Sequence, residues 1–270
     1  MNSISANLNI MIKASEKASK VLIRDFGELE KLQVSAKGPG DFVSAADKKS
    51  EKIIIDELLK AYPDYSILSE EAGEINSDNK DHRWIIDPID GTLNFLNGIP
   101  HFAISIGYEE KGEIISGIIF DPIKNEMFFA EKGAGAFLNN SRIRVSNKKK
   151  ISDSLLVTGG PKFDSKEKND ILSEYIEISN KINAPIRKFG SASLDMANVA
   201  CGRFDGYWQW DLKYWDIAAG LIIVKEAGGF VDFIGKNEQS SKKKNILATN
   251  SNIHQELSNT LSRKILSKIT

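Results

Sequence analysis

The chain has 270 residues but only one cysteine, Cys201, and three histidines, His82, His101 and His254. A single cysteine excludes an intramolecular disulfide and suits a reducing cytosol. It follows the apolar stretch Ala197 to Ala200 and reads as a small buried core residue rather than a nucleophile. The histidines are scattered and none falls in a motif, so neither a zinc centre nor histidine catalysis is expected. No apolar run approaches the ~20 residues needed to cross a bilayer. Met1 to Met11 lacks a signal-peptide core, so the expectation is a cytoplasmic protein with no membrane partner. An excess of one charge is missing too. Lys and Arg number 36 against 37 Asp and Glu, a net charge of −1, which leaves no global footprint for nucleic acid. The short basic runs Lys148 to Lys150 and Lys242 to Lys244 read as solvated loops. Internal repeats and low-complexity tracts are also lacking.

What remains is ordinary globular composition, 41% hydrophobic and 27% charged, enough for one large domain or two intimate halves. Apolar spacing predicts a helix over 4–26, closed by Gly27, and a second over Asp47 to Ala61, ended by Tyr62-Pro63. Lys37-Gly38-Pro39-Gly40 between them reads as a loop or hinge. Short strands follow at Ser66 to Leu68, Arg83 to Ile86, Ala103 to Tyr108, Ile114 to Phe120 and Glu126 to Ala130. Their hairpin punctuation predicts a mainly antiparallel sheet. The polar stretch Ser141 to Ser154 is the best boundary candidate, dividing residues 1–145 from 146–270. Beyond it, strands (Leu155 to Gly159, Ile186 to Phe189, Gly206 to Trp210, Gly229 to Phe233, Ile246 to Thr249) alternate with helices (within 166–182, across 192–201 and 216–227, and from Ser251). That alternation predicts a second, more parallel sheet and an α/β (α+β) fold.

The densest information lies in W-I-I-D-P-I-D-G-T-L-N-F, Trp84 to Phe95. The run Trp84-Ile85-Ile86 reads as a buried strand end that delivers Asp87. Pro88 holds Asp87 extended and stops the strand from simply continuing. The chain then turns at Ile89 to Gly91, where glycine lets a ligand approach closely. Such an element can gather Asp87, Asp90, the Ile89 carbonyl and the amides of Gly91 and Thr92 around one small pocket, equipment for Mg²⁺ and phosphate together. Two acids alone could be surface turn chemistry. The longer string has a chance frequency of order 10⁻⁷ or less per site.

Other acids join it. Glu70, in S-E-E-A-G, could be a metal ligand or an exposed acid beside Glu71. Asp216, in Y-W-D-I-A-A-G, stands where a helix begins, so an N-cap role and a ligand role are both open and compatible. Asp47 is either a helix N-cap or part of the site, and Asp41 shapes its loop. Four carboxylates crowded at neutral pH need cations, and two or three divalent ions would neutralise them.

With D-F-V-S-A-A-D at Asp41 to Asp47, these segments resemble, in order and spacing over nearly the whole chain, the inositol monophosphatase family of Mg²⁺-dependent, lithium-sensitive phosphatases. Thr92-Leu93-Asn94-Phe95 matches the inositol-phosphatase branch. The resemblance implies a five-layer α-β-α-β-α sandwich and a homodimer. It implies that Glu70, Asp87 and Ile89 hold one Mg²⁺ and Asp87, Asp90 and Asp216 another. It further implies direct in-line hydrolysis of a phosphomonoester, foremost myo-inositol 1-phosphate. In that chemistry Glu70 and Thr92 orient and deprotonate the attacking water, and Asp47 accepts from the Thr92 hydroxyl. On the substrate side it implies Ile89, Asp90, Gly91, Thr92, Asp216, the Gly190-Ser191-Ala192 turn (through Ala192), and Gln209. Gln209 stands where the family usually has a glutamate, which puts preference for myo-inositol phosphate in question. Another sugar, polyol or nucleotide phosphate is the alternative substrate. A dimeric scaffold for a protein or RNA partner is the alternative from another class. Lys213 could attract phosphate or face solvent, and Trp208, Trp210 and Trp215 read as packing residues.

Overall fold

The computed structural model describes residues 4–29, 34–38, 41–159, 175–176, 178–234 and 244–267. Helix α1 (Ala6–Phe26) starts at Ser5, whose hydroxyl accepts from the Leu8 N–H, and ends at Gly27. A hairpin, β1 (Val34–Gly38) with β2 (Asp41–Ser44), runs directly into α2 (Ala45–Ala61). Lys37 and Gly38, read as a loop, thus belong to a paired strand, and 39–40 lie outside the described residues.

The first sheet contains β3 (Tyr65–Ser69), β4 (Gly73–Ile75), β5 (Asn79–Asp90), β6 (Ala103–Glu110), β7 (Glu113–Asp121), β8 (Glu126–Glu131), β9 (Gly135–Leu138) and β10 (Ser141–Ile143), in the order β10-β9-β8-β7-β6-β5-β3-β4. Every neighbouring pair is antiparallel except β3 with β5. The polar stretch beginning at Ser141 opens on a strand, β10. A short α3 (Thr92–Leu96) follows β5.

The second sheet contains β11 (Leu156–Thr158), β12 (Ile186–Arg187), β13 (Gly206–Leu212), β14 (Phe230–Phe233) and β15 (Lys244–Thr249), in the order β12-β11-β13-β15-β14. Two of its pairings are parallel and two antiparallel, so it is mixed, though more parallel than the first. Helices α4 (Ala192–Ala200), α5 (Tyr214–Glu226) and α6 (His254–Ser267) complete the chain. The helix expected within 166–182 is seen at 175–176 and 178–181; most of that range lies outside the described residues.

Period-two alternation explains the layering. Along β5, Trp84 and Ile86 join α1 and α2 in one core, while Ile85 faces the core around α4 and α5. Along β13, Tyr207 faces that same inner core and Trp208 faces the outer one beneath α6. Five layers, α-β-α-β-α, result. The innermost helix, α5, is apolar all round, as a helix between two sheets must be. It lies tight on the first sheet because Gly117 has no side chain. A Cβ there would stand 2.8 Å from Ala219 Cα.

Candidate active site

The site is assembled by three devices of local structure. The first is a bulge. Asp87 pairs with Ser105 and Asp90 with Ala103, so three steps along β5 match two along β6. In a regular strand, residues three apart point to opposite faces. The extra residue turns Ile89 outward into the α1–α2 core and brings Asp90 to the inner face alongside Asp87. The turn then closes at Gly91 (φ 96°), where a Cβ would lie 3.1 Å from the His101 carbonyl oxygen. No other residue suits both the left-handed backbone and that close approach.

The second device is the capping box. Asp47 is not the N-cap of α2. Ser44 is, and Asp47, at the third helical position, folds back so that Oδ2 accepts from the Ser44 N–H at 2.8 Å. Asp216 is likewise not an N-cap. It is third in α5, and its Oδ2 accepts from the Lys213 N–H at 2.7 Å. In both cases the helix start fixes where the carboxylate points.

The third device joins the two sheets. Asp90 Oδ2 accepts from the Ser191 hydroxyl (2.6 Å) and from the Ser193 N–H (2.7 Å) and hydroxyl. Its Oδ1 has only the Ala192 N–H, at 3.3 Å. All four donors sit at the start of α4, so a negative charge lies on the positive end of a helix dipole. Asn94 adds a cross-tie. Its Nδ2 donates to the carbonyls of His101 and Phe189, each at 2.8 Å.

One pocket is lined by Glu70, Asp87, Ile89, Asp90, Gly91, Thr92, Ala192, Gln209 and Asp216, together with Leu93, Gly159, Gly190 and Leu212. Asp47, which the resemblance gives a catalytic role, stands behind this wall. It joins through Thr92, whose Oγ1 is 2.9 Å from the Ile89 carbonyl oxygen and 3.2 Å from Asp47 Oδ1. Burial, and after it the charges of Glu70, Asp90, Asp216 and Asp47, push the Asp87 carboxyl well above the ordinary carboxylate range. Burial lifts Asp47 to about 6 against the hydrogen bonds it accepts from Ser44.

Among the described residues, no three acidic, histidine or cysteine groups already stand as a closed ligand set. Asp87 and Asp216 each commit one oxygen to a backbone N–H, Asp87 Oδ1 accepting from Ile89 at 3.1 Å, and Asp90 commits both. Still, the carboxylates and carbonyl that could ligate a metal there all present oxygen, and their shared charge adds to burial in disfavouring ionisation of Asp87. A hard divalent cation fits that donor chemistry.

A scan against family models matches residues 5–267 to the inositol monophosphatase family. The chain belongs to that family. Inositol-1-monophosphatase of Rhizobium meliloti (strain 1021) is 48% identical, covering 98% of this chain and 99% of that protein. Nus factor SuhB of Escherichia coli (strain K12) is 40% identical, covering 95% of this chain and 98% of that one. Among solved structures, the extragenic suppressor protein suhB from Bartonella henselae superposes with a TM-score of 0.90 at 47% identity, covering 96% of this chain and 99% of that one. The sandwich expected from the sequence is the one this family member adopts.

Several supporting residues were not legible beforehand. Glu51, one turn beyond Asp47 on α2, accepts from the Ser69 hydroxyl and from the N–H groups of Glu71 and Ala72 (3.0 Å each), and so holds the turn that carries Glu70. Its i, i+4 relation to Asp47 was the available signal. Tyr207 donates its hydroxyl to Gln209 Oε1 at 2.7 Å. Gln209 also packs where a Cβ on Gly159 would be, 1.7 Å from Oε1. Other readings need correction. Cys201 is half-buried rather than buried. Lys148 to Lys150 do lie in an exposed loop, though Lys148 also reaches the buried Asp205 with its Nζ, at 3.0 Å. Lys213 turns its ammonium over the Trp215 ring, 6.0 Å from the centroid, and does not line the pocket. Lys242 and Lys243 lie outside the described residues. Trp208 and Trp210 are core residues and Trp215 packs against the inner core, as expected.

Proposed function

We propose that this protein hydrolyses a phosphomonoester with Mg²⁺, foremost myo-inositol 1-phosphate to inositol and phosphate. The observation that carries the reading is convergence. Glu70, the Asp87–Asp90 pair and Asp216, from three segments far apart in the chain, meet at one pocket beside a part-buried Thr92–Asp47 hydrogen bond. Glu70, Asp87 and the Ile89 carbonyl would hold one ion, and Asp87, Asp90 and Asp216 a second. Bound there, the ions supply charge neutralisation and Lewis-acid activation of water and of the leaving oxygen.

The protein's own groups account for the rest. Thr92 offers its hydroxyl to the incoming water and, through Asp47, has an acceptor for the proton it relays. Glu70 stands on a turn that Glu51 immobilises, which suits a group that must orient a nucleophile. The amides of Gly91 and Thr92 receive phosphate oxygens. Ala192 and Gln209 meet the alcohol portion, where Gln209 offers an uncharged amide in place of a carboxylate, so other polyol or sugar phosphates fall within its range. A panel of phosphomonoesters assayed with Mg²⁺, with and without lithium, tests the proposal. Turnover of none of them would end it.

The relative named Nus factor SuhB favours a second reading, in which the same fold also engages a protein or RNA partner. A pull-down compared between wild type and Asp87→Asn separates the two, since a scaffold keeps its partner when the metal site is impaired. The protein is placed in the cytoplasm and in a homodimer by this same proposal.

A further inference from the structure

One pair of polar side chains, a buried carboxylate and a half-buried imidazole, takes no part in the chemistry above. Asp195, in the first turn of α4, has no exposed surface, and neither of its carboxylate oxygens has a hydrogen-bond partner. The imidazole of His101 faces it. Nε2, itself buried and without a partner, stands 3.8 Å from Asp195 Oδ1. That is ion-pair distance but too long for a hydrogen bond. Buried polar atoms left without partners are costly and call for an explanation.

The explanation lies in what each side chain is attached to. Asp195 follows Ser191, Ala192 and Ser193, the three residues whose donors hold the Asp90 carboxylate. The His101 carbonyl abuts the Gly91 turn and accepts from Asn94. The His101 ring also packs on Phe189, just before α4, with centroids 5.3 Å apart. The pair therefore spans the helix that grips Asp90 and the segment that supports the turn after Asp90.

We propose that His101 and Asp195 are a positioning pair, which locks the start of α4 against the Gly91 turn and so sets the Asp90 carboxylate for a divalent cation. The proposal rests on the reading of this pocket as a metal site. Burial raises the Asp195 carboxyl to about 7, against the lowering effect of the facing His101 side chain. Neither touches the reacting atoms.

The test removes both partners together, as His101→Phe with Asp195→Leu, so that neither is stranded in the interior. Mn²⁺ is the probe, its dissociation constant read by paramagnetic resonance, alongside thermal unfolding in EDTA and steady-state kinetics. The double variant unfolds at or above the wild-type temperature, yet binds Mn²⁺ about 10–100-fold more weakly, as loss of an outer-shell support does. Its kcat falls while KM stays. Asp195→Asn, which keeps a polar partner for His101, stays within about threefold of wild type by the same reasoning. A double variant with Mn²⁺ affinity unchanged from wild type overturns the proposal. Should the double variant not fold, His101→Asn read in the same way decides. Wild-type protein that takes up no Mn²⁺ overturns the metal-site reading as well, which tells the two failures apart.

Discussion

Thr92 and Asp47 share a hydrogen bond across the junction of β5 and α2, yet the single Thr92 hydroxyl proton also has the nearer Ile89 carbonyl as acceptor. The hydroxyl is thus held between two oxygens, poised to relay rather than to donate to one alone. Thr92→Val should lower kcat by about 10²–10³-fold, within the span of general acid–base effects, with little change in KM. Asp47→Asn should cost nearly as much, and the double variant little more than either, because the two act as a unit. Additive losses in steady-state kinetics would contradict that coupling.

Asp47 also gives a pH signature in the metal-free protein. Its folded carboxyl titrates near 6 and the unfolded one near 3.8, so the folded state binds the proton more tightly. The stability this contributes is fully present below about pH 4 and is lost as pH rises through about 6, by about 2–3 kcal/mol in all. That is opposite in sign to ordinary acid denaturation. Urea unfolding in EDTA at pH 4 and pH 7.5 should show the wild type losing more stability across this interval than Asp47→Asn does. Equal losses would mean that Asp47 is ionised in the folded protein throughout.

Asp216→Asn separates the two duties of that side chain. The amide oxygen can still accept from the Lys213 N–H, so circular dichroism and melting temperature should change little. Turnover should fall by at least ~10²-fold, since a ligand to the ion contributes several kcal/mol of charge stabilisation. Asp90→Asn should likewise abolish turnover while leaving the fold largely intact. Retained activity in either variant would refute the ligand assignment.

How much of this was legible in the sequence differs with the physics involved. The acids of the turn and most of the elements were readable because strand and helix periods, a proline after Asp87 and a glycine after Asp90 leave local marks, whereas the layer order came from the family resemblance. The capping jobs of Asp47 and Asp216 were misplaced by three residues. An acid at the third helical position and one at the cap look alike until the serine or lysine three residues earlier is seen to start the helix. The grip of Ser191 and Ser193 on Asp90, and that of Glu51 on the turn bearing Glu70, span intervals that no local pattern encodes. The β1–β2 hairpin was hidden by a glycine–proline segment that reads as open loop. Its pairing depends on register rather than on the turn residues.

Gln209 sets a specificity test. Tyr207, kept protonated by burial and by the acids nearby, donates to Gln209 Oε1. Gln209→Glu can keep that bond while adding a charge and a stronger acceptor for substrate hydroxyls. The ratio of kcat/KM for myo-inositol 1-phosphate over a less hydroxylated phosphomonoester should rise by about tenfold, the worth of one charged hydrogen bond. A ratio that does not move would remove Gln209 from the substrate contacts.

Stability can be probed away from the chemistry at Gly117. A side chain there meets the backbone of Ala219, including its Cα at 2.8 Å. Gly117→Val should push α5 off the first sheet and destabilise by about 1–3 kcal/mol or more, as overpacking does. Because α5 carries Asp216, Mg²⁺ affinity should weaken in step. Denaturant unfolding and calorimetry of the same variant check both effects.

Parity governs the pairing of Asp87 with Asp90. An odd spacing serves one face of the sheet only because the β5 bulge absorbs a residue. A single-residue deletion between them would restore regular alternation and keep both acids on the inner face, but only by erasing the bulge and the outward turn of Ile89 that shape the pocket. Over evolutionary time, letters around this motif can be exchanged, but its length cannot drift. Indels in lineages of this fold should accumulate in the outer loops and stop short of residues 87–90.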